Sequence, residues 1–348
     1  MRVEWLERAR RKGTPLIEDG RAIFIWQGVE PVGLIGDFNH WSVEAENPMD
    51  QVEDGVWAQE IELPRDAYVE YVFIADSEQV LDPLNRQHVS NGLGKQNNYF
   101  YMPGAAPASE LAGISGRLAG RLEHFDIATH GNVSGRTRRV TLYAPPVDEP
   151  VALLVAYDGQ DYLRSARLAW IVEAMMEQGR IPPLAIAFIE NGGWARTLEY
   201  ACAEAPLKFL CDQVLSTAYE HLNLLDIDSA PGVFGVLGAS MSGLTALYTG
   251  LRLPQIFGRV LAQSGAYTLE GYEFVVWNLV KHSSPDLTKV WLDAGNMEHL
   301  VDCNRQMAAL LAERGFATQY HEYSGGHNYT VWRNDLPAGL EFLFGIQE

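Results

Sequence analysis

Residues 235–247, GVLGASMSGLTAL, constrain this chain more than any other stretch. An apolar run through Val233, Phe234, Val236 and Leu237 stops at Gly238. Ser240 follows two residues later, then Ser242 and Gly243, then the helix-compatible LTALYTGLRL. The order is strand, sharp turn, helix, with a serine at the turn. Small neighbours let the backbone turn tightly and leave the serine hydroxyl exposed, so the stretch reads as a nucleophile elbow. The usual spelling is G-x-S-x-G. Here it is G-A-S-M-S-G, with Ser242 in place of the last glycine and Gly243 one place on. The alternative is a buried small-residue turn between a strand and a helix.

The surroundings favour the elbow. From about residue 114 the chain alternates strand and helix patterns. RRVTLYAPP, VALLVAYDG, PPLAIAFIE, GVFGVLG, RVLAQSGAY, KVWLDAG and ATQYHEYSGG read as strands. RLAWIVEAMMEQG, APLKFLCDQVLSTAYEHL, DCNRQMAALLAERG and 328–344 read as helices. Apolar strands separated by helix-length segments predict a doubly wound, mostly parallel α/β sheet flanked by helices. Ligands of such sheets bind beyond the carboxyl ends of the strands, where Asp158, Ser240, Glu298 and His327 all fall.

A serine hydroxyl attacks only when a base takes its proton, usually a histidine oriented by an acid. In this fold the chain order is Ser, then Asp or Glu, then His. His282, His299, His321 and His327 follow Ser240. His321 sits inside a strand and His299 directly follows the acid turn, whereas His327 follows Gly325-Gly326 after the last strand. His327 is therefore the expected base. Glu298 is the expected acid, with Asp302 next; either could instead serve as a favourable charge at a helix N-terminus. The oxyanion hole needs two backbone N–H groups. One is expected from Met241, the other from the DGQDY loop, with Gly159 permitting the turn and Gln160 donating. No Cys/His metal spacing, P-loop or GxGxxG occurs, so no metal or other cofactor is expected.

Residues 21–102 read as all-β: short segments rich in aromatic and β-branched residues, separated by turns such as Asp54-Gly55. In VWAQEIEL, Val56, Ala58, Glu60 and Glu62 fall on one face and Trp57, Gln59, Ile61 and Leu63 on the other. A small β-sandwich follows from the number and spacing of these strands. The Pro/Ala-rich stretch after Met102 reads as a linker. The expected organisation is a β-sandwich over 1–103, a linker over 104–113 and an α/β catalytic domain over 114–348.

The net charge of −19 argues against nucleic acid, whose phosphates need a basic footprint. No apolar run is long enough to span a bilayer, and the N-terminal MRVEWLERARRKG lacks the apolar core of a secretory signal. It reads as a short helix. Three sparse cysteines give no disulfide framework and fit a reducing compartment. A cytoplasmic protein with a small-molecule ester substrate and no membrane partner is the expectation; the oligomeric state is left open.

Two resemblances add to this. GDFNHW (36–41), Met49, DGVW (54–57) and YVEYVF look like the immunoglobulin-like sandwich ahead of glycogen-branching and related enzymes. Trp26, Trp41 and Trp57 are expected to fill the sandwich core; stacking on a glucan is the alternative. The second half, together with DPLNRQ (82–87), SNGLGK and YMPGA, resembles the enterochelin (ferric enterobactin) esterase family of esterase D-type α/β-hydrolases. LLVAYDGQDY, Arg196 and Glu199 of NGGWARTLEY, GASMSGLTAL, AGNMEH and GGHNYTVWR carry that match in order. The resemblance implies a serine esterase that hydrolyses a catecholate siderophore inside the cell, releasing iron. Ser240 would be its nucleophile, His327 its base and Glu298 its acid, with Arg196 holding substrate oxygens. Related proteins act on feruloyl esters, acetyl esters or thioesters, or transfer acyl chains. A ferric tris-catecholate is an anion, which a −19 chain repels unless local cations compensate. Arg164, Arg167, Arg196 and Arg333 are the candidates.

Overall fold

The computed structural model describes residues 4–43, 49–91, 94–107 and 116–346. It divides into two compact units. The first comprises Met1–Ala106, Gly295–His299 and Glu322–Val331; the second comprises Pro107–Ala294, Leu300–His321 and Trp332–Glu348. Residues 108–113 of the expected linker lie outside the described residues.

In the first unit a helix, Trp5–Lys12, precedes nine strands among the described residues. These are β1 (Leu16–Glu18), β2 (Arg21–Gln27), β3 (Gly33–Gly36), β4 (Asp50–Glu53), β5 (Val56–Glu62), β6 (Tyr68–Ala75), β7 (Glu78–Val80), β8 (His88–Ser90) and β9 (Gln96–Tyr101). One sheet has the order β1-β2-β5-β4, the other β3-β6-β9-β8 with β7 on β6. Ala22 and Phe24 from the first sheet meet Val69, Tyr71, Phe73 and Phe100 from the second in one buried cluster. The Phe24 ring stands edge-on to Tyr71 at 4.8 Å, a geometry that adds about 0.5–1.5 kcal/mol beyond area burial. On the opposite face of β2 and β5, Ile23, Ile25, Val56 and Ala58 pack under Trp5, Leu6 and Ala9 of the helix. The alternation in β5 is thus real, and both of its faces are covered.

The DPLNRQ segment has a structural job in this unit. Asp82 accepts hydrogen bonds from Thr14 Oγ1 (2.6 Å), Tyr71 OH (2.7 Å) and the Leu84 N–H (2.8 Å). Its own N–H donates to Asn98 Oδ1 at 2.6 Å.

The second unit is built on β10 (Arg121–Ala128), β11 (Thr137–Ala144), β12 (Ala152–Ala156), β13 (Leu184–Ile189), β14 (Gly235–Ala239), β15 (Arg259–Gln263), a two-stranded ribbon β16 (Thr268–Leu269) and β17 (Tyr272–Glu273), β18 (Lys289–Gly295) and β19 (Ala317–Tyr323). The large sheet runs β10-β11-β13-β12-β14-β15-β18-β19. β10, β11 and β13 pair antiparallel; β13, β12, β14, β15 and β18 pair parallel. The chain leaves β12 for β13 on one side and then returns past it to β14 on the other. That reversal makes the carboxyl ends of β12 and β14 the switch point, where doubly wound sheets bind ligands.

Two details depart from the sequence reading. β10 was not foreseen, because its RLEHFDIA sequence is an edge strand with alternating half-exposed residues. The single helix expected over 205–222 is Glu204–Phe209, a π-helical turn Leu210–Val214, and Leu215–His221. Ser216 Oγ and Thr217 Oγ1 bond back to the carbonyls of Asp212 and Gln213 in that turn, the kind of side-chain competition that distorts helices. Among the described residues no helix is long and apolar enough to cross a membrane.

Candidate active site

β14 is buried along its whole length and ends at Ala239. Ser240 follows with φ 60° and ψ −123°, and the helix Met241–Arg252 starts at the next residue. A non-glycine residue at such angles costs about 1–3 kcal/mol and persists only where its neighbours fix it. Here the Ser240 N–H donates to the Gln263 carbonyl (2.9 Å), and its own carbonyl accepts from Leu244 and Ala266 N–H (both 3.0 Å). A Cβ on Gly238 would lie 2.2 Å from the Ser242 carbonyl oxygen, and one on Gly243 would lie 2.9 Å from that of Gln263. The shifted glycine of the motif is therefore required by the backbone at the end of β15.

Ser242 is fully buried. Its Oγ accepts from the Ala239 N–H at 2.8 Å and lies 2.7 Å from both the Asp158 Oδ2 and the Ala239 carbonyl oxygen, two acceptors for its one proton, of which the carboxylate is the stronger. Asp158, at the end of β12, is also fully buried. It receives Arg196 Nε (2.8 Å) and Nη2 (2.6 Å) in a forked pair, and Asn191 Nδ2 at 2.8 Å. Such bidentate, charge-assisted bonds fix orientation as well as energy. Arg196 was expected to hold substrate; in the structure its Nε and Nη2 grip Asp158. Glu199 pairs with Arg138 at 3.0 Å, both side chains being buried, rather than with Arg196.

Asp158 has φ 51° and carries the left-handed turn, not Gly159 as expected. Gly159 is needed for a different reason: a Cβ there would sit 2.4 Å from the Ile189 nitrogen on β13. Gly159 and Gln160 open the helix Gly159–Arg164, so their N–H groups belong to the first turn, which has no partners within the helix. The Met241 N–H stands in the same position on its own helix. The Gln160 side chain is held away by the Asn191 N–H (3.1 Å) and Asp161 (3.0 Å). Burial, then the nearby Asp158 charge, pushes the Asp161 carboxyl up to about 6.

In the first unit His327 Nδ1 lies 2.5 Å from Glu298 Oε2, and Glu298 is 2 % exposed. That bond assigns the proton to Nδ1 and leaves Nε2 as the basic nitrogen. Asp302, the alternative acid, has a side chain 78 % exposed and bonds Arg305 instead. His321 is held by Asp335 at 2.6 Å in the second unit.

The loops bearing Glu298 and His327 are clasped together. A Cβ on Gly295 would meet the Gly325 carbonyl oxygen at 2.1 Å. The Asn296 and Met297 N–H groups donate to the carbonyls of Tyr323 (2.9 Å) and Gly325 (3.1 Å). The sandwich adds a further grip, since the Tyr68 N–H donates to the Ser324 carbonyl at 3.1 Å. Asp37 of GDFNHW presses its Oδ1 so close to Gly326 that a Cβ there would be 2.0 Å away. Asp37 is set by the Trp41 indole N–H (2.9 Å) and the Glu70 N–H (2.8 Å). Burial, then the Glu70 charge, holds its carboxyl well above the usual range, and burial takes Glu70 up to about 7. Asp37 has no local signal in the sequence: GDFNHW carries a family resemblance, and nothing in it marks one of 45 acidic residues as buried. Trp41 serves Asp37, Trp57 donates to the Gly28 carbonyl (3.1 Å), and Trp26 packs edge-on to Phe73.

A doubly wound sheet with a strained serine after its central strand defines the chain as an α/β-hydrolase, preceded by a β-sandwich. The model of the Esterase family, described as "Putative esterase", matches residues 131–343, and the chain belongs to that family. An iron(III) enterobactin esterase of Dickeya dadantii is 28% identical over 298 residues, which is 76% of this chain and 65% of the relative. The chain thus spans just under two thirds of that relative's length. An iron(III) salmochelin esterase of Escherichia coli is 26% identical, over 76% of this chain and 67% of that protein. Among solved structures, a ferric enterobactin esterase from Salmonella typhimurium superposes with a TM-score of 0.79 at 21% identity, covering 94% of each chain.

Proposed function

We propose that this protein is a serine esterase that cleaves the ester bonds of a catecholate siderophore through an acyl-enzyme. Ser240 Oγ attacks the ester carbonyl as His327 Nε2 takes its proton, and Glu298 steadies the imidazolium that forms. The carbonyl oxygen becomes an oxyanion, received by the N–H groups of Met241 and Gln160. The alcohol leaves with the proton from His327. Water then attacks the acyl-enzyme by the same route, releasing the acid and restoring Ser240.

The observation that carries this reading is the backbone of Ser240, held at φ 60° and ψ −123° at the switch point of the sheet. The 2.5 Å His327–Glu298 pair supports it. The siderophore assignment rests on the relatives' activities. Arg196 acts on substrate through Asp158, by fixing the loop that carries Gln160.

The test is hydrolysis of the cyclic trilactone of N-(2,3-dihydroxybenzoyl)serine by wild type and Ser240→Ala. The variant should melt like the wild type and lose turnover. A folded Ser240→Ala protein that still cleaves the trilactone refutes the proposal. No observation favours glucan binding, because the three tryptophans are engaged within the sandwich unit.

A further inference from the structure

β15 ends at Gln263, and the segment from there to Ala266 holds Ser240 from both sides. The Gln263 carbonyl takes the Ser240 N–H at 2.9 Å, and the Ala266 N–H donates to the Ser240 carbonyl at 3.0 Å. A buried polar network within the second unit holds that segment in turn. The Gln263 side chain is fully buried. Its Nε2 donates to Asp293 Oδ2 (2.9 Å) and to the Trp332 carbonyl (3.0 Å), and its Oε1 accepts from Tyr162 OH (3.0 Å). Both N–H bonds of the amide are spent, and the Trp332 carbonyl can only accept, so the amide has one orientation. Ser264, at φ 44°, gives its N–H to the Asp293 carbonyl (2.7 Å), and its Oγ accepts from the Trp332 indole N–H (2.9 Å). Tyr162 belongs to the helix Gly159–Arg164, whose first turn carries the Gln160 N–H. One residue therefore reaches both parts of the proposed machinery: Ser240 through its backbone, and that helix through the Tyr162 phenol.

Resting on the esterase reading above, we infer that Gln263 is a positioning residue for ester cleavage: its amide, bonded to Asp293 on one side and Tyr162 on the other, keeps Ser240 and the helix Gly159–Arg164 in one frame. The backbone of Ser240 is strained and stays so only where its neighbours fix it. Two further oxygens say how the frame is kept neutral around the amide. Asp293 Oδ1 and Asp335 Oδ2 are buried and have no hydrogen-bond partner among the described residues, yet the two carboxyls stand within hydrogen-bond reach of each other. One proton between them satisfies both oxygens and removes one of two buried like charges. His321 Nδ1 lies 2.6 Å from Asp335 Oδ1 and favours the charge there, which leaves the proton on the Asp293 side. Burial, then the Asp335 charge, holds the Asp293 carboxyl well above the usual range. The other titratable groups that feel Asp293 are the Tyr162 and Tyr267 phenols. Asp293 thus receives the Gln263 amide as an uncharged acid.

The experiment follows p-nitrophenyl acetate hydrolysis by Gln263→Glu from weakly acidic to weakly alkaline pH. Glutamate keeps the shape but has at most one proton to give where the amide makes two bonds, and it loses that proton as pH rises. kcat should fall by about tenfold or more with KM unchanged, within the hundredfold that a misplacement of about 1 Å can cost. The deficit against wild type should widen with pH, whereas a merely loosened fold leaves a deficit that pH does not change. Tyr162→Phe, which takes the phenol away from Gln263 Oε1, should lower kcat severalfold at constant KM, and it decides the matter if Gln263→Glu does not fold. Wild-type kcat in folded Gln263→Glu, a pH-independent deficit, or wild-type kcat in Tyr162→Phe overturns the inference. Asp293→Asn tests the proton, since its amide can donate to Asp335 and keep an oxygen for Gln263. The wild type loses the contribution of Asp293 as pH rises through its raised folded pKa and the variant does not, so the variant's urea midpoint should gain on wild type with rising pH. A difference that stays constant or shrinks overturns the shared proton. Turnover by wild type and not by Ser240→Ala is the control: without it the esterase reading falls, and this inference with it; with it, the other variants judge Gln263 alone.

Discussion

Replacing Ser242 by alanine removes one oxygen and keeps the backbone and Cβ of the elbow. That oxygen accepts from the Ala239 N–H at 2.8 Å and lies 2.7 Å from Asp158 Oδ2, in a fully buried setting. A hydrogen bond to a charged group contributes about 1.5–3 kcal/mol, and a buried N–H left without a partner costs about 1–3 kcal/mol. Asp158 keeps Arg196 and Asn191, so its charge is not stranded, and the low end applies. The expected loss of stability is about 2 kcal/mol. Asp158 directly precedes Gly159 and Gln160, so the same bond ties the elbow to the loop proposed to receive the oxyanion. A loop loosened at that point should lower kcat by about tenfold, equivalent to roughly 1.4 kcal/mol of transition-state stabilisation, with KM little changed. Urea unfolding and steady-state hydrolysis of p-nitrophenyl acetate read the two effects. Unchanged stability together with unchanged kcat would show that the serine is a passive filler and would refute the reasoning.

Three further outcomes follow from the same contacts. Glu298→Gln should lower kcat by about a hundredfold or more, because the amide cannot steady the imidazolium; Asp302→Asn should leave kcat within about twofold, and the reverse ranking would exchange their roles. Gly326→Ala forces a Cβ against Asp37 Oδ1 and should cut kcat while the second unit keeps its fold, as hydrogen exchange would show; wild-type kcat would contradict the clasp. Glu70, raised by burial from 4.5 to about 7, favours the folded state when protonated. Its contribution is complete below pH 4.5 and is lost as pH rises towards 7, so Glu70→Gln should flatten the fall in stability over that window, by up to about 3 kcal/mol. An unchanged pH profile would refute it.

Which parts were legible in the sequence follows from how local their causes are. The elbow, the GNMEH loop and the GGH loop are short motifs, so the turn at Ser240 and the pairing of Glu298 with His327 could be anticipated from local sequence. The contacts that hold them are long-range. Ser242 meets Asp158 across 84 positions. Asp37 is set against Gly326, nearly three hundred residues on. In a chain with 45 acidic residues, nothing local marks two of them as buried struts. Arg196 was visible but its partner was not: Glu199 is nearer in sequence, while Asp158 has the geometry for a forked pair. β10 was hidden because an edge strand with one neighbour needs few apolar residues.

The central claim is that Ser240 forms a covalent intermediate. Incubation with a fluorophosphonate, followed by digestion and mass mapping, tests it directly. The account predicts one adduct, on Ser240, absent from Ser240→Ala and formed far more slowly in His327→Ala. An adduct on another residue, or undiminished labelling of Ser240→Ala, would contradict it.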